Sequence, residues 1–324
     1  MIAVVGEALV DLVADSDGRT FRAYPGGSPA NVAVGLARLD VPVTMLARLA
    51  TDTFGQQLRD HLRDNGVDLT NAVSATEPST LAVVTLDHSG AASYDFWIRG
   101  TSDWQWTPGE LPLPVPSDLV AVHTGSLVAA LEPGATVLEA WLRTVRETGK
   151  VAVCFDPNCR PGLMGDPEAA RERIRRQVGL AHVVKASEDD LTWLHPGESY
   201  VEVARRWLDE GPALVVVTRG GEGVYAATRE VDVACPTPAM PVVDSVGAGD
   251  ALSAGLLTGM RERGLLGRGS PDRLAALDST SLRALVDEAA LVAALTCARA
   301  GADPPTRADL RAAEEAGFTD HTTT

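Results

Sequence analysis

The sequence contains Asp244-Ser245-Val246-Gly247-Ala248-Gly249-Asp250, the most informative stretch of the chain. An apolar segment, Met240–Val243, precedes it and is predicted to be a strand, and a helix rich in small residues is predicted to follow. Gly247 and Gly249 allow a tight turn and bring bare backbone N–H groups close to a ligand. Because a helix start adds partial positive charge, the stretch predicts an anion site that needs no lysine.

Outward from this stretch, short β-branched runs alternate with helical patterns. Strands are predicted at Ile2–Val5, Val43–Leu49, Leu119–His123, Val151–Phe155, His182–Lys185 and Leu214–Thr218. Helices are predicted at Ala30–Leu39, Phe54–Asn65, Thr136–Thr148, Glu168–Val178 and Val201–Glu210. The alternation indicates an α/β fold with a mostly parallel sheet covered on both faces, whose ligands bind beyond the carboxyl ends of the strands.

One segment interrupts this alternation. Residues 79–86 and 91–98 have the pattern of two strands, and Asp87-His88-Ser89-Gly90 joins them without a helix, which predicts a β-hairpin. With an extended segment at Arg19–Tyr24, the hairpin would form a small antiparallel sheet beside the main body. Such a sheet is either a lid over a ligand site or a peripheral extension.

Composition excludes several classes of protein. The chain has 324 residues, and 28 Lys and Arg against 44 Asp and Glu give a net charge of −16, which repels nucleic acid and anionic membranes. No apolar stretch approaches the ~20 residues of a membrane helix, and the first residues lack a signal-peptide pattern. The four cysteines lack metal-site spacing and fit thiols in a reducing compartment, so we expect a cytoplasmic protein.

Asp250 lies at the edge of the predicted anion site. A carboxylate would repel a phosphate, so it fits a general base that accepts the proton of an attacking hydroxyl. The alternative is that Asp250 only caps the helix. A Walker A loop is missing because Thr144 lies five residues before Gly149-Lys150, and a G-x-G-x-x-G turn is missing because its third position is Leu252. P-loop NTPases and dinucleotide-dependent oxidoreductases are therefore disfavoured.

A second glycine cluster, Pro25-Gly26-Gly27-Ser28-Pro29-Ala30-Asn31, opens the first predicted helix. Its paired glycines leave room for a compact ligand, and Asn31 can donate and accept hydrogen bonds at once, which suits a polyhydroxylated molecule. Alternatively, the cluster only starts the helix and Asn31 faces solvent. Asp11, after the first strand, either accepts hydrogen bonds from two sugar hydroxyls or is a surface acid.

The two glycine segments resemble the two signature regions of the PfkB, or ribokinase-like, family of sugar kinases. The resemblance covers nearly the whole chain, and further segments look like the fructokinase branch: Gly6–Asp11, Asp156–Arg160, Lys185–Glu188, Thr218–Gly223 and Arg299–Pro305. It implies a three-layer, Rossmann-like α/β/α sandwich in one kinase domain over residues 1–318, with a small β-sheet lid formed by about 11–24 and 79–100. Residues 319–324 are expected to be a disordered tail.

The resemblance also implies roles for individual residues. Asp250 would be the catalytic base, and the N–H groups of Gly247, Ala248 and Gly249 would form the anion hole. Sugar hydroxyls would be held by Asp11, Gly26, Gly27 and Asn31. ATP would be bound by Lys185, Thr218, Gly220, Gly223, Ala298 and Gly301. Glu188 would organise Mg²⁺ through water, and Asp244 would take part in the K⁺ site of many relatives.

Two of the departures from the family pattern bear on ligand binding. Lys185 stands where the family's Asn-x-x-Glu motif has Asn, and it would either reach a phosphate or form a surface ion pair with Glu188. Pro305 stands where some relatives have a hydroxyl side chain, which leaves K⁺ dependence open.

The expected acceptor is D-fructose, giving fructose 6-phosphate, because residues 100–104 and 123–126 look like those of fructokinases. The alternative is 2-keto-3-deoxygluconate, whose carboxylate would be bound by Trp97, Arg99 and Arg160, since arginine pairs with a carboxylate bidentately. A third hypothesis, from another class, is a catalytically silent sensor of sugar or nucleotide, although the intact base and glycines disfavour it. The resemblance also implies a homodimer in which the lids of two copies cross; alternatively, the apolar lid positions Tyr94, Phe96 and Ile98 pack against the main body of the same chain.

Overall fold

A computed structural model describes residues 1–15, 18–86 and 92–317. The predicted hairpin turn at Asp87–Gly90 and the predicted tail at 319–324 lie outside the described residues. The strands, in chain order, are β1 Ile2–Val5, β2 Leu9–Ala14, β3 Phe21–Gly26, β4 Val43–Leu46, β5 Arg48–Ala50, β6 Val73–Ala75, β7 Leu81–Leu86, β8 Ala92–Trp97, β9 Ala121–Gly125, β10 Ala152–Asp156, β11 Val183–Ser187, β12 Leu214–Thr218, β13 Val224–Ala227 and β14 Asp232–Cys235.

The helices connect these strands over the surface of the sheet. In chain order they are α1 Ser28–Arg38, α2 Thr53–Asp64, α3 Gly134–Glu147, α4 Pro167–Leu180, α5 Glu188–Leu194, α6 Tyr200–Glu210, α7 Ala248–Glu262, α8 Ser270–Ala275, α9 Ser279–Cys297 and α10 Arg307–Glu315. Most begin at a capping side chain: Asp52, for example, accepts a hydrogen bond from the Gly55 amide at the start of α2.

The central sheet has eight strands in the order β14-β13-β12-β11-β10-β9-β1-β4. The six strands from β12 to β4 are parallel, and β13 and β14 extend the sheet antiparallel at one edge. Successive residues of each strand point to opposite faces, and both faces are buried. In β1, Ile2 and Val4 belong to the core beneath α1, α7 and α9, whereas Ala3 and Val5 belong to the core beneath α3, α4 and α6. The predicted three-layer α/β/α fold is confirmed.

A second, smaller sheet stands beside the carboxyl ends of the parallel strands. It has four strands in the order β3-β2-β7-β8, of which β7 and β8 pair antiparallel, as the hairpin pattern predicts. The sheet is mixed rather than antiparallel as predicted, because β2 pairs antiparallel with β3 but parallel with β7. We call this sheet the lid. Its strands lie within or close to the predicted segments 11–24 and 79–100, and the expectation of a small β-sheet lid is confirmed.

The root of the lid is fixed by one buried arginine. Arg48, in β5, is 5% exposed, and its guanidinium pairs with the carboxylates of Glu77 and Glu110. Its Nε also donates to the carbonyl of Ser102, 3.1 Å away. Because Glu77 precedes β7 and Ser102 follows β8, Arg48 ties both ends of the lid hairpin to the main body.

One predicted strand is wrong. Residues 240–243 form no strand, and Val242 and Val243 are 72% and 64% exposed. The sheet already ends at β14, so these apolar residues have no neighbouring strand to pair with. Instead the segment runs past the end of α9, where the Val243 amide donates to the carbonyl of Cys297, 2.8 Å away.

Within the described ranges, no helix combines the length and the apolar character needed to cross a bilayer.

The four cysteines are all free thiols, and burial raises the pKa of Cys154 and Cys235 to about 12. These two buried thiols are therefore protonated and unreactive at neutral pH.

We expect Arg48→Met to lower the free energy of unfolding by about 3 kcal/mol, because it leaves two carboxylates and a carbonyl without their shared cation. Arg205→Met is the matched control, since Arg205 pairs with Asp232 at the surface, where the side chains are 54% and 41% exposed. The control substitution should lower the free energy of unfolding by less than about 1 kcal/mol. Urea unfolding of both variants measures the difference, and equal losses would contradict the anchoring role of Arg48.

Candidate active site

The glycine-rich turn positions Asp250 in the first turn of α7. Gly247 is the N-cap residue, with a φ of 75° that favours glycine, and no side chain caps the helix. Asp250 therefore does not act as the helix cap, which removes that alternative. Its carboxylate faces α1 instead.

A close crossing of α1 and α7 brings the two glycine clusters together. At Gly35 an added Cβ would lie 2.7 Å from the Cβ of Ala254, so the absence of a side chain lets the helices approach. One turn earlier on each helix, the Asn31 Nδ2 donates to the Asp250 Oδ2 at 2.8 Å. The Ser28 hydroxyl donates to the Asp250 Oδ1 at 2.6 Å. Asn31 thus faces the predicted base rather than solvent.

Asp250 is 9% exposed, and burial raises the pKa of its carboxyl group. The hydrogen bonds from Ser28 and Asn31 oppose this rise, and so do the positive charges of Lys185 and Arg160. A raised pKa makes a carboxylate a stronger base, while the opposing contacts favour the ionised form that can accept a proton. Burial and partners together suit Asp250 to acid–base chemistry.

The turn before α7 presents backbone N–H groups. Within the described ranges, the amides of Gly247 and Gly249 donate to no other group, whereas the Ala248 amide donates to the carbonyl of Ser245 at 3.3 Å. Asp244 fixes the turn, because its two carboxylate oxygens accept the amides of Val246 at 3.0 Å and of Gly301 at 2.8 Å. Two of the three amides predicted for the anion hole are therefore available to a ligand.

A cavity of about 460 Å³ lies between the lid and the turn, and we call it the lid cavity. Asp250 and the predicted sugar-binding residues Asp11, Gly27 and Asn31 line it. Gly26 lies behind them: an added Cβ there would meet the Asp11 carboxylate at 2.3 Å. Burial raises the pKa of Asp11 to about 6, and among the described residues nothing donates a hydrogen bond to its carboxylate.

A second cavity of about 310 Å³ lies against α9, and we call it the α9 cavity. The predicted nucleotide-binding residues Thr218, Gly220 and Gly223 line one side. The α9 side chains opposite them are small: Ala290, Ala293, Ala294 and Cys297. Such a narrow apolar slot between glycines and alanines accommodates a flat ring. Ala298 and Gly301 do not line this cavity: Ala298 is the C-cap of α9, and Gly301 bonds to Asp244.

The two cavities share one wall. Ser245, Ala248 and Gly249 line both of them, and Asp250 lines the lid cavity just beyond. A group bound in the α9 cavity can therefore extend its end to the free amides of the turn. A molecule in the lid cavity meets the same amides from the opposite side, with the Asp250 carboxylate next to it.

Lys185 lies beneath the turn, with its side chain 9% exposed. Its Nζ is 2.8 Å from the Asp156 Oδ2, and a Cβ added at Gly249 would lie 2.9 Å from the same nitrogen. Burial alone would lower the pKa of Lys185, but Asp156 reverses this effect and the pKa is raised, so the side chain stays charged. The alternative of a surface ion pair with Glu188 is wrong. Lys185 lines the lid cavity and not the α9 cavity.

Glu188 begins α5, directly after the carboxyl end of β11, and its carboxylate lies 3.5 Å from the Arg219 Nε. It lines neither the lid cavity nor the α9 cavity. Within the part of the chain that the structure describes, no group of three or more His, Cys, Asp or Glu side chains could hold a metal ion.

The two lid residues predicted to bind a carboxylate lie outside the lid cavity. Trp97 and Arg99 line a separate cavity of about 630 Å³, and Trp97 is 66% exposed. The register explains this: Asp11 pairs with Ala82, and Ala82 pairs with Phe96, so Phe96 shares the face of Asp11 and Trp97 points to the opposite face. Phe96 lines the lid cavity, as does the third predicted residue, Arg160.

Sequence reasoning missed several residues of the lid cavity. Ser28 lies inside the second glycine cluster, and its place at the helix start was the available signal. Phe96 faces the cavity because of the strand register, which the structure gives and the sequence alone does not. Glu7, Ser126 and Asn158 follow the ends of strands, and Ser126 and Asn158 have positive φ values of 60° and 36°, which no sequence pattern indicates. Backbone strain of this kind is concentrated at ligand sites.

Comparisons with known proteins identify the family of this chain. The family model described as pfkB family carbohydrate kinase matches residues 1–309. A fructokinase of Rhizobium leguminosarum bv. trifolii is 34% identical over 286 residues, covering 87% of this chain and 86% of the relative.

Solved structures are also similar. The ATP-bound fructokinase of Xylella fastidiosa superimposes with a TM-score of 0.90 at 29% identity, covering 98% of both chains. A double mutant of the Vibrio cholerae O395 fructokinase, with fructose, ADP and potassium ion bound, gives a TM-score of 0.82 at 29% identity over 96% of this chain and 97% of the other. The chain belongs to the pfkB family of carbohydrate kinases, which are phosphotransferases.

Proposed function

We propose that this protein transfers the γ-phosphoryl group of ATP to a sugar hydroxyl, most readily to D-fructose, giving fructose 6-phosphate. The observation that carries the proposal is the wall shared by the α9 cavity and the lid cavity. It separates a slot suited to a flat base from a polar cavity suited to a sugar. The free amides of the turn lie at the boundary, where a transferred phosphoryl group would pass.

The chain supplies a base and charge stabilisation for this transfer. The acceptor hydroxyl would give its proton to Asp250 while its oxygen attacks the γ-phosphorus, and ADP would leave into the α9 cavity. Negative charge on the transferred group would be stabilised by the amides of Gly247 and Gly249 and by the positive charge of Lys185 beside them. In a chain with a net charge of −16, this local concentration of donors is what makes a phosphate site possible.

We propose that Mg²⁺ enters with the phosphates of ATP, where it would neutralise part of their charge, and that Glu188 contacts it through water. A half-exposed single carboxylate suits such an indirect contact. K⁺ would lie beside Asp244, whose oxygens each keep a lone pair after accepting one backbone amide. The relative from Vibrio cholerae was solved with a potassium ion bound.

A neutral sugar suits the lid cavity better than a sugar acid. The carboxylates of Asp11, Glu7 and Asp250 line the cavity, and of the two cations there, Lys185 is already paired with Asp156. Arg99 lies outside, which leaves Arg160 alone to hold a carboxylate. Asp11, with no donor among the described residues, suits two hydroxyl groups of a sugar. The structures from Vibrio cholerae that resemble this chain contain fructose.

We expect Asp250→Asn to lower the rate of sugar phosphorylation by about 10²–10⁴-fold while ATP still binds, because a positioned base contributes about that much. Asp272→Asn is the matched control, since Asp272 is also the third residue of a helix, α8, and is exposed. Coupled ADP release gives the rate, and titration calorimetry gives ATP affinity. A variant as active as the unaltered protein would remove Asp250 from the role of base.

The acceptor is tested by comparing kcat/KM for fructose, 2-keto-3-deoxygluconate, ribose and nucleosides with ATP as donor. We expect fructose to be preferred over the sugar acid by at least about tenfold, which corresponds to about 1.4 kcal/mol, the cost of one poorly satisfied polar group. A preference for the sugar acid would reassign the substrate. No turnover with any acceptor would instead support a silent sensor.

A further inference from the structure

The Ser28 hydroxyl contacts the proposed base but has no part in the proposed transfer. It is the first side chain of α1, half-buried, and its Oγ donates to the Asp250 Oδ1 across 2.6 Å. It lines the same lid cavity as Gly247 and Gly249. An alcohol therefore lies within hydrogen-bond distance of the base before any sugar binds.

This contact takes one of the two lone pairs of the Asp250 Oδ1, and the second remains for an acceptor hydroxyl. Asn31 already donates to the Oδ2, so the Oδ1 is the oxygen that Ser28 occupies. A serine hydroxyl and a sugar hydroxyl are equivalent donors to a carboxylate, and both can turn to accept instead. Ser28 can thus stabilise the ionised form of the Asp250 carboxylate, and its hydroxyl can turn aside when an acceptor hydroxyl binds next to the same oxygen.

We propose that Ser28 is a positioning residue. Its hydroxyl keeps the Asp250 carboxylate hydrogen-bonded until the sugar binds, and this limits the hydrolysis of ATP by water. The inference rests on the proposed role of Asp250 as the base. In the suppressed reaction, a water oxygen bonds to the γ-phosphorus, the bond from that phosphorus to the bridging oxygen of ADP breaks, and the water proton passes to Asp250. The products are ADP and inorganic phosphate.

The surroundings of Asp250 give the sign of the pH effect. Lys185 from β11 and Arg160 after β10 favour its ionised form, whereas Asp156 from β10 opposes it, and the acidic side chains of Glu7 and Asp11 line the same cavity. The Ser28 hydrogen bond also favours the ionised form, so its removal raises the pKa of Asp250. The ionised form is the active one. If the pKa of Asp250 rises, acidification protonates the carboxylate at a higher pH, so activity would also be lost at a higher pH than in the unaltered protein.

The test compares Ser28→Ala with Ser28→Thr, which keeps the hydroxyl, and with Ser279→Ala as a matched control. Ser279 is also the first residue of a helix, α9, and it is exposed. Phosphate release from ATP without sugar is measured beside fructose phosphorylation, each across pH. We expect Ser28→Ala to raise the ratio of hydrolysis to phosphorylation about tenfold, because one hydrogen bond to a charged group is lost. We also expect the acid limb, the part of the pH profile where activity falls on acidification, to move to higher pH.

The outcomes separate this inference from the proposed function. Ser28→Thr should behave like the unaltered protein, and Ser279→Ala should change neither ratio nor profile. If Ser28→Ala phosphorylates fructose with an unchanged ratio and an unmoved acid limb, the role of Ser28 is refuted while the kinase assignment stands. Equal loss of both reactions with a lower unfolding temperature would refute it as well, because it would show a structural role only. Full activity of Asp250→Asn would refute the base itself.

Discussion

The site depends on the contact between α1 and α7 at Gly35 and Ala254. The two helices lie far apart in the chain, and each carries one of the glycine clusters at its start. Their close approach puts Ser28 and Asn31 of one cluster on the carboxylate of Asp250 in the other. A larger side chain at either crossing position would separate the helix starts, and the base, its donors and the free amides would no longer face one cavity.

Burial and acidity impose a second constraint. Asp250, Asp11, Asp156 and Glu7 gather at the carboxyl ends of the parallel strands in a protein that is already strongly negative. Desolvation by burial raises the pKa of all four carboxyl groups, and Asp250 further raises the pKa of Asp156; Lys185, held against Asp156 beneath the turn, compensates part of this charge. In the proposed reaction, the turn amides and Lys185 would together favour the approach of an anionic donor to this negatively charged site.

Much of the fold could be predicted from the sequence because its physical signals are local. Continuous apolar runs such as Ile2–Val5 predict strands buried on both faces, and the glycine clusters predict turns that open helices. Met240–Val243 was mispredicted because an apolar run carries no information about whether a neighbouring strand exists to pair with it. The hairpin of the lid could be recognised from the missing helix between two strands, whereas its role as a lid followed from the family resemblance.

The site could be predicted only in part. The residue types of Asp250, Asn31 and Asp11 indicate chemistry, but partners distant in the chain do not follow from spacing. The pairing of Lys185 with Asp156 rather than Glu188 depends on which strands are neighbours in the sheet. The lid cavity is lined by Phe96 instead of Trp97 because of the register between the lid strands, and a slip of one residue in that register would move every side chain to the other face.

The central claim is that a phosphoryl group passes directly between the two cavities across the wall formed by Ser245, Ala248 and Gly249. Its most direct test uses ATP whose γ-phosphorus is made chiral with oxygen isotopes and sulfur, followed by determination of the configuration in the sugar phosphate. A single in-line transfer predicts inversion at phosphorus. Retention would require two successive transfers through a phosphorylated side chain and would contradict the account.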